Sequence, residues 1–306
     1  MPNDTFNSNS VAADASSIRY NYVTINEVIT FYREAGSKNN PVLFLLHGYP
    51  SSSFMFRNLI PLLAEHYWVI APDLPAFGFT EVPNPKNFQY TFAGYADFIE
   101  AFLGKLNISK ATFYLFDYGA PILMRIIERK PSIVETLIFQ NGNIYREGLG
   151  EIMETICTLL DDNSAQSQLK LQKYFELNYT RWGYLHGVGD VSKIAPETFH
   201  LDQHLLNRKG LKDIHIALKE DYKNNIALYP QWQKTLKRLQ PPTLIIWGEN
   251  DELLIKQGAY LLHKDIIKSK VILFPTGHFA LEEYGQEIGQ EIINFKNAYQ
   301  TTDRHH

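Results

Sequence analysis

One cysteine, Cys157, stands in a chain of 306 residues, so no intramolecular disulfide can form and no thiolate metal cluster can assemble. A reducing, cytoplasmic compartment is expected. Long apolar runs are missing too: residues 42–46 and 244–247 are far shorter than the roughly 20 residues a membrane span requires. No membrane partner is expected. Charge of one sign is scarce, because a net charge of -4 with 20% charged residues makes no field able to gather nucleic acid or an anionic lipid surface. The natural partner is a small apolar molecule, with a homodimer compatible with the composition. The first residues have neither a cationic nor an apolar region, which excludes a signal or transit peptide and makes 1–18 a flexible polar leader.

Hydrophobic residues make up 45% and aromatics 13%, enough to bury one large core or a core with a smaller unit on it. Short apolar runs at 67–71, 111–116, 134–139, 243–247 and 271–274 alternate with helical patterns, which predicts a parallel sheet. Upstream, 22–25 and 28–32 flank Asn26-Glu27 and read as an antiparallel hairpin leading into 42–46. Tyr95, Phe98, Ile99, Phe102, Leu103 and Leu106 fall at helical spacing, as do Ile122, Leu123, Ile126 and Ile127. Between about 145 and 239 the rhythm stops. That stretch has no clear buried strand and many helix formers, so 144–239 reads as a helical cap inserted after the sixth strand, with 19–143 and 240–300 as the core.

Four motifs lie where strands end. Leu115-Phe116-Asp117-Tyr118-Gly119-Ala120 sits between an apolar strand and an apolar helix, where a sharp turn lifts its middle side chain above the sheet and demands small neighbours. A helix cap is the plain alternative for Asp117. Leu46-His47-Gly48-Tyr49-Pro50 follows another strand, and Gly48 lets the backbone turn so that the Tyr49 N–H points into a pocket. The Tyr118 N–H supplies a second donor, and the pair forms an oxyanion hole. Asp251 in Gly248-Glu249-Asn250-Asp251 and His278 in Thr276-Gly277-His278 follow two later strands. Groups at the carboxyl ends of parallel strands converge even when distant in sequence.

An aspartate in that elbow has chemical consequences. It is ionised near neutral pH and attacks without a base to deprotonate it. That leaves His278, oriented by Asp251, free to activate water. Attack on an acyl carbon would give an anhydride, whereas attack on a saturated carbon bearing oxygen or halide gives a discrete ester. The chemistry needs no cofactor and no metal.

His47 to Pro50, Pro72-Asp73-Leu74-Pro75-Ala76-Phe77-Gly78, Asp117 to Gly119, Gly248 to Asp251 and Gly277-His278 resemble, in order and spacing from about 19 to 295, the α/β-hydrolase branch of epoxide hydrolases and haloalkane dehalogenases. The resemblance implies that fold, with a mostly parallel sheet flanked by helices, and an ester on Asp117. It implies epoxide hydrolysis before dehalogenation, since His-Gly-aromatic-Pro is similar to epoxide hydrolases, and Tyr118 and Tyr49 stand where haloalkane dehalogenases carry Trp and Asn or Glu. Epoxide hydrolases use cap tyrosines as proton donors. Asp221-Tyr222-Lys223-Asn224 resembles the surroundings of one, which singles out Tyr222. For the other, Tyr174, Tyr179 and Tyr184 qualify, and Tyr184 is preferred. Trp182 is the indole that could face a halide, and with His47 it is expected on the pocket wall. A binding protein that retains the triad without turnover is the alternative of another class.

Overall fold

The computed structural model describes residues 16–162 and 164–303, so most of the expected leader lies outside the described residues. The hairpin forms from β1 (Arg19–Ile25) and β2 (Val28–Ala35), closed by Asn26 at φ 46 and Glu27 at φ 69. Two successive left-handed residues match the right-handed twist of the strands they join. Then come β3 (Val42–Leu46), α1 (Leu59–Leu63), β4 (Trp68–Pro72), α2 (Phe92–Lys105), β5 (Ala111–Phe116), α3 (Gly119–Arg129) and β6 (Val134–Gln140). The chain ends with β7 (Thr243–Gly248), α9 (Gln257–Asp265), β8 (Ser269–Phe274) and α10 (Ala280–Asp303).

These strands make one eight-stranded sheet in the order β1-β2-β4-β3-β5-β6-β7-β8, antiparallel at β1-β2-β4 and parallel beyond. Strands β4, β5 and β7 are buried along their whole length, which is why they read as continuous apolar runs rather than alternating ones. Helices α2 and α3, with the stripes predicted above, and α9 cover one face, and α1 and α10 cover the other. The winding reverses between β3 and β5. Side chains just past those two strands therefore meet over a crevice.

Between β6 and β7 the chain folds into α4 (Glu151–Asp162), α5 (Ala165–Gln172), α6 (Leu177–Leu185), α7 (Glu197–Leu206) and α8 (Leu211–Leu239). Leu211, Leu218, Tyr222, Asn225, Tyr229, Trp232 and Leu236 form the buried face of α8, which reaches α2, α3 and α9 of the core. Gln240 in the left-handed region ends α8, and Pro241 and Pro242 prevent its continuation. No helix among the described residues is long and apolar enough to cross a membrane.

Candidate active site

Asp117 occupies the turn from β5 into α3 with φ 43, a conformation that L residues adopt only when their surroundings enforce it. Two glycines show the enforcement. A Cβ on Gly48 would lie 2.3 Å from Asp117 Oδ1, and one on Gly119 would lie 2.6 Å from the Leu46 carbonyl oxygen. The Tyr49 N–H donates to Asp117 Oδ1 at 2.6 Å, and the Tyr118 N–H is a second backbone donor to the carboxylate. Burial pushes the Asp117 pKa up, opposed by His278, these two N–H groups and the charge of Lys219. Asp117 is thus anchored by backbone donors, and its side chain is still 14% exposed to the space above the sheet.

Asp251 and His278 come to the same place from β7 and β8. His278 Nδ1 lies 2.6 Å from Asp251 Oδ2, which also accepts from Asn141 Nδ2 at 2.8 Å. The other oxygen, Asp251 Oδ1, accepts from the N–H groups of Leu253 and Leu254. Because Asp251 only accepts, Nδ1 carries the proton and Nε2 presents a lone pair. Nε2 makes no hydrogen bond among the described residues and stands 3.9 Å from Asp117 Oδ2. Burial lowers the His278 pKa, but the charge and hydrogen bond of Asp251 and the charge of Asp117 outweigh it and hold the pKa above its ordinary value. Glu249, two residues before Asp251, is turned away and accepts from Lys256 Nζ at 3.2 Å.

A small cavity of about 40 Å³ opens over Asp117 and His278. Its walls include Tyr49 and Tyr118 from the core, Met153, Tyr179 and Lys219 from the insertion, and Leu253 and Phe279. The Tyr179 hydroxyl has no hydrogen-bond partner among the described residues, and burial raises its pKa well above the usual phenol value. It keeps its proton near neutral pH. Lys219, only 7% exposed, lies with Nζ 3.8 Å from the Tyr49 ring centre, and burial brings its pKa down to about 8.

Four expectations are corrected here. Tyr222 sits behind Tyr118, its hydroxyl 3.0 Å from that of Tyr229, and does not line the cavity. Tyr184 is stacked on Phe279 at 3.9 Å, donates to Asp202 Oδ2 at 2.5 Å and does not line the cavity. Trp182 stacks between Tyr179 and His186 and lines a separate recess of about 10 Å³ beside Asp251 and His278. His47 is fully buried below the site, where Nδ1 donates to the Gly48 carbonyl and Nε2 accepts the Leu74 N–H. It braces the loop and lines neither the cavity nor the recess.

Sequence reasoning missed Asn141 and Lys219 and passed over Tyr179. Asn141, at φ 44 just past β6, couples Asp251 to the Gly248 N–H, which its Oδ1 accepts at 2.9 Å. A run of polar residues at the end of a buried strand was the available signal. For Lys219 it was a lone cation between His215 and Tyr222 on the inner face of an amphipathic helix. Among the described residues, no group of three His, Cys, Asp or Glu side chains is placed to hold a metal.

A doubly wound sheet with an acid in a strained elbow, a histidine and a second acid at successive strand ends defines an α/β-hydrolase. The sequence pattern of the α/β hydrolase fold matches residues 41–284, and the chain belongs to that family. An uncharacterised hydrolase of Saccharomyces cerevisiae is 40% identical over 282 residues, covering 90% of this chain and 96% of its own. A haloalkane dehalogenase of Mycobacterium marinum is 29% identical, covering 87% and 88%. Epoxide hydrolase 3 of Mus musculus is 23% identical, covering 86% and 72%.

Proposed function

We propose that this chain is an epoxide hydrolase that works through an ester on Asp117. The observation that carries the reading is the Asp117 carboxylate itself, held on Oδ1 by the Tyr49 N–H at 2.6 Å with Oδ2 turned towards His278. In the first step a carboxylate oxygen attacks a ring carbon, the carbon–oxygen bond breaks, and the alkoxide takes the proton of a phenol on the cavity wall. Tyr179 fits that task, having no hydrogen bond to give up. In the second step His278 Nε2 removes a proton from water, which attacks the ester carbonyl. The oxyanion forms against the Tyr49 and Tyr118 N–H groups, as it does in acyl transfer. Collapse returns Asp117 and releases a vicinal diol, and the proton taken up by His278 passes, through water, to the phenolate and restores the phenol.

The name of the Mycobacterium marinum relative supports a haloalkane substrate as the second reading. A departing halide needs N–H donors, and Trp182, the indole expected to supply one, stands off the cavity wall. Incubation with 1,2-epoxybutane and with 1-bromobutane in parallel, measuring diol and bromide, tests the choice. Diol is the expected product. Bromide without diol transfers the reading to dehalogenation, and inertness towards both favours a binding protein.

A further inference from the structure

The cavity holds a cation with no counter-ion. Lys219 is the only Lys or Arg on the wall, and among the described residues no carboxylate lies within ion-pairing distance of its Nζ. Its neighbours are aromatic faces: the Tyr49 ring at 3.8 Å, Phe175 at 5.6 Å and Tyr118 at 6.0 Å. Such faces offset only part of the cost of taking an ammonium out of water, and buried charges in folded proteins are normally paired. The other ionisable groups around it do not pair it. The Cys157 thiol has a raised pKa and stays neutral, His215 has a pKa lowered to about 3 and is neutral as well, and Asp117 acts on Lys219 only at longer range.

We propose that Lys219 binds a carboxylate carried by the substrate, which makes the preferred substrates short-chain epoxy acids. The proposal rests on the reading of the site given above and names the substrate class for it. The size of the cavity agrees, because about 40 Å³ suits a chain of few carbons. Charge agrees as well: a carboxylate brought near Asp117 is repelled unless a cation stands between or beside them, and Lys219 is that cation. A role as donor to the alkoxide would need the ammonium only for an instant, and Tyr179 already offers a neutral donor. With 2,3-epoxypropanoate the sequence of steps adds one water to the ring and yields glycerate.

The first measurement is binding of an inert pair, propanoate and propanamide, by titration calorimetry, which involves no chemistry at carbon. Wild type is expected to favour propanoate by on the order of 30-fold, the scale of a desolvated charge pair. The preference should vanish in Lys219→Met and survive in Lys219→Arg. It should grow in Asp117→Asn, since the repelling charge is gone. Equal affinity of wild type for the two ligands, or a preference that survives in Lys219→Met, overturns the proposal. The second measurement is the kcat/KM ratio for 2,3-epoxypropanoate over 2,3-epoxypropanamide, and for chloroacetate over chloroacetamide. Turnover with no preference for the acids overturns the proposal and leaves the reaction class standing. Lys219-dependent binding of propanoate with no turnover of any of the four supports the proposal and overturns the reaction class.

Discussion

His278 Nε2 stops 3.9 Å short of Asp117 Oδ2 while its Nδ1 is held 2.6 Å from Asp251 Oδ2. The imidazole is fixed on one side and unspent on the other. Its lone pair is then available for water after Asp117 has been alkylated, and the first step makes no demand on it. His278→Gln should therefore form the ester and hydrolyse it slowly. Intact-protein mass spectrometry after mixing with a reactive epoxide should show the added substrate mass, and peptide mapping should place it on Asp117. A variant that never carries the adduct, with a substrate that wild type turns over, removes the ester from the path.

Asp117→Ala should abolish turnover, by about 10³-fold or more, because the wall of this cavity carries no other carboxylate to form the ester. Circular dichroism and the urea midpoint should confirm that the fold persists. Activity above a few per cent of wild type is incompatible with Asp117 as nucleophile.

Tyr179→Phe should slow single-turnover alkylation by an epoxide by about 10²-fold, the usual weight of a general acid, and spare hydrolysis of the ester. Tyr222→Phe and Tyr184→Phe should change alkylation far less, since their hydroxyls are engaged with Tyr229 and Asp202 away from the cavity. A loss in Tyr222→Phe with none in Tyr179→Phe would return the donor to Tyr222.

The pH dependence of ester hydrolysis follows from the same histidine. The Asp251 carboxylate holds its pKa up against the effect of burial, the charge of Asp117 being gone in the ester, and only the neutral imidazole accepts a proton from water. The rate should fall as pH drops through that pKa. Asp251→Asn removes the main cause of the rise, so the acid limb should move to lower pH while the plateau drops by about 10²- to 10⁴-fold. Pre-steady-state hydrolysis measured across pH shows both effects. A limb that moves towards higher pH contradicts the assignment of Asp251.

Asn141 allows backbone and side-chain contributions to be separated. Asn141→Ala loses the donor to Asp251 and leaves a methyl side chain at φ 44, for an expected cost of about 2–3 kcal/mol in urea denaturation. Asn141→Gly loses the same donor but tolerates the left-handed backbone, so it should cost about 1 kcal/mol less. Activity should fall equally in the two. A larger fall in the alanine variant would mean that backbone position, not the hydrogen bond, sets the orientation of Asp251.

The elbow, the Tyr49 loop and the two later strand ends were legible because each is decided within a few residues. Gly48 and Gly119 are required by close approaches to Asp117 and to the strand before the Tyr49 loop, and such requirements leave marks in a short stretch of sequence. The insertion was harder to read. Tyr179 and Tyr184 lie on one helix, and five residues turn the second about 140° away from the first. Which of them faces the cavity depends on how α6 is rotated against Phe279, a property of packing that neither local sequence records. His47 misled for the opposite reason, since its motif is plain while its ring turns beneath the loop it braces.

The left-handed turn at residue 117 dictates the direction of a Cα–Cβ bond and is indifferent to the atoms beyond it. It is a mount. An Asp117→Ser exchange would find the same N–H donors and the same imidazole, but the hydroxyl would need that imidazole to remove its own proton, so one base would serve both half-reactions. Such a site would be suited to acyl transfer from esters and would lose displacement at saturated carbon. A single position thereby separates two kinds of bond breaking on an unchanged scaffold.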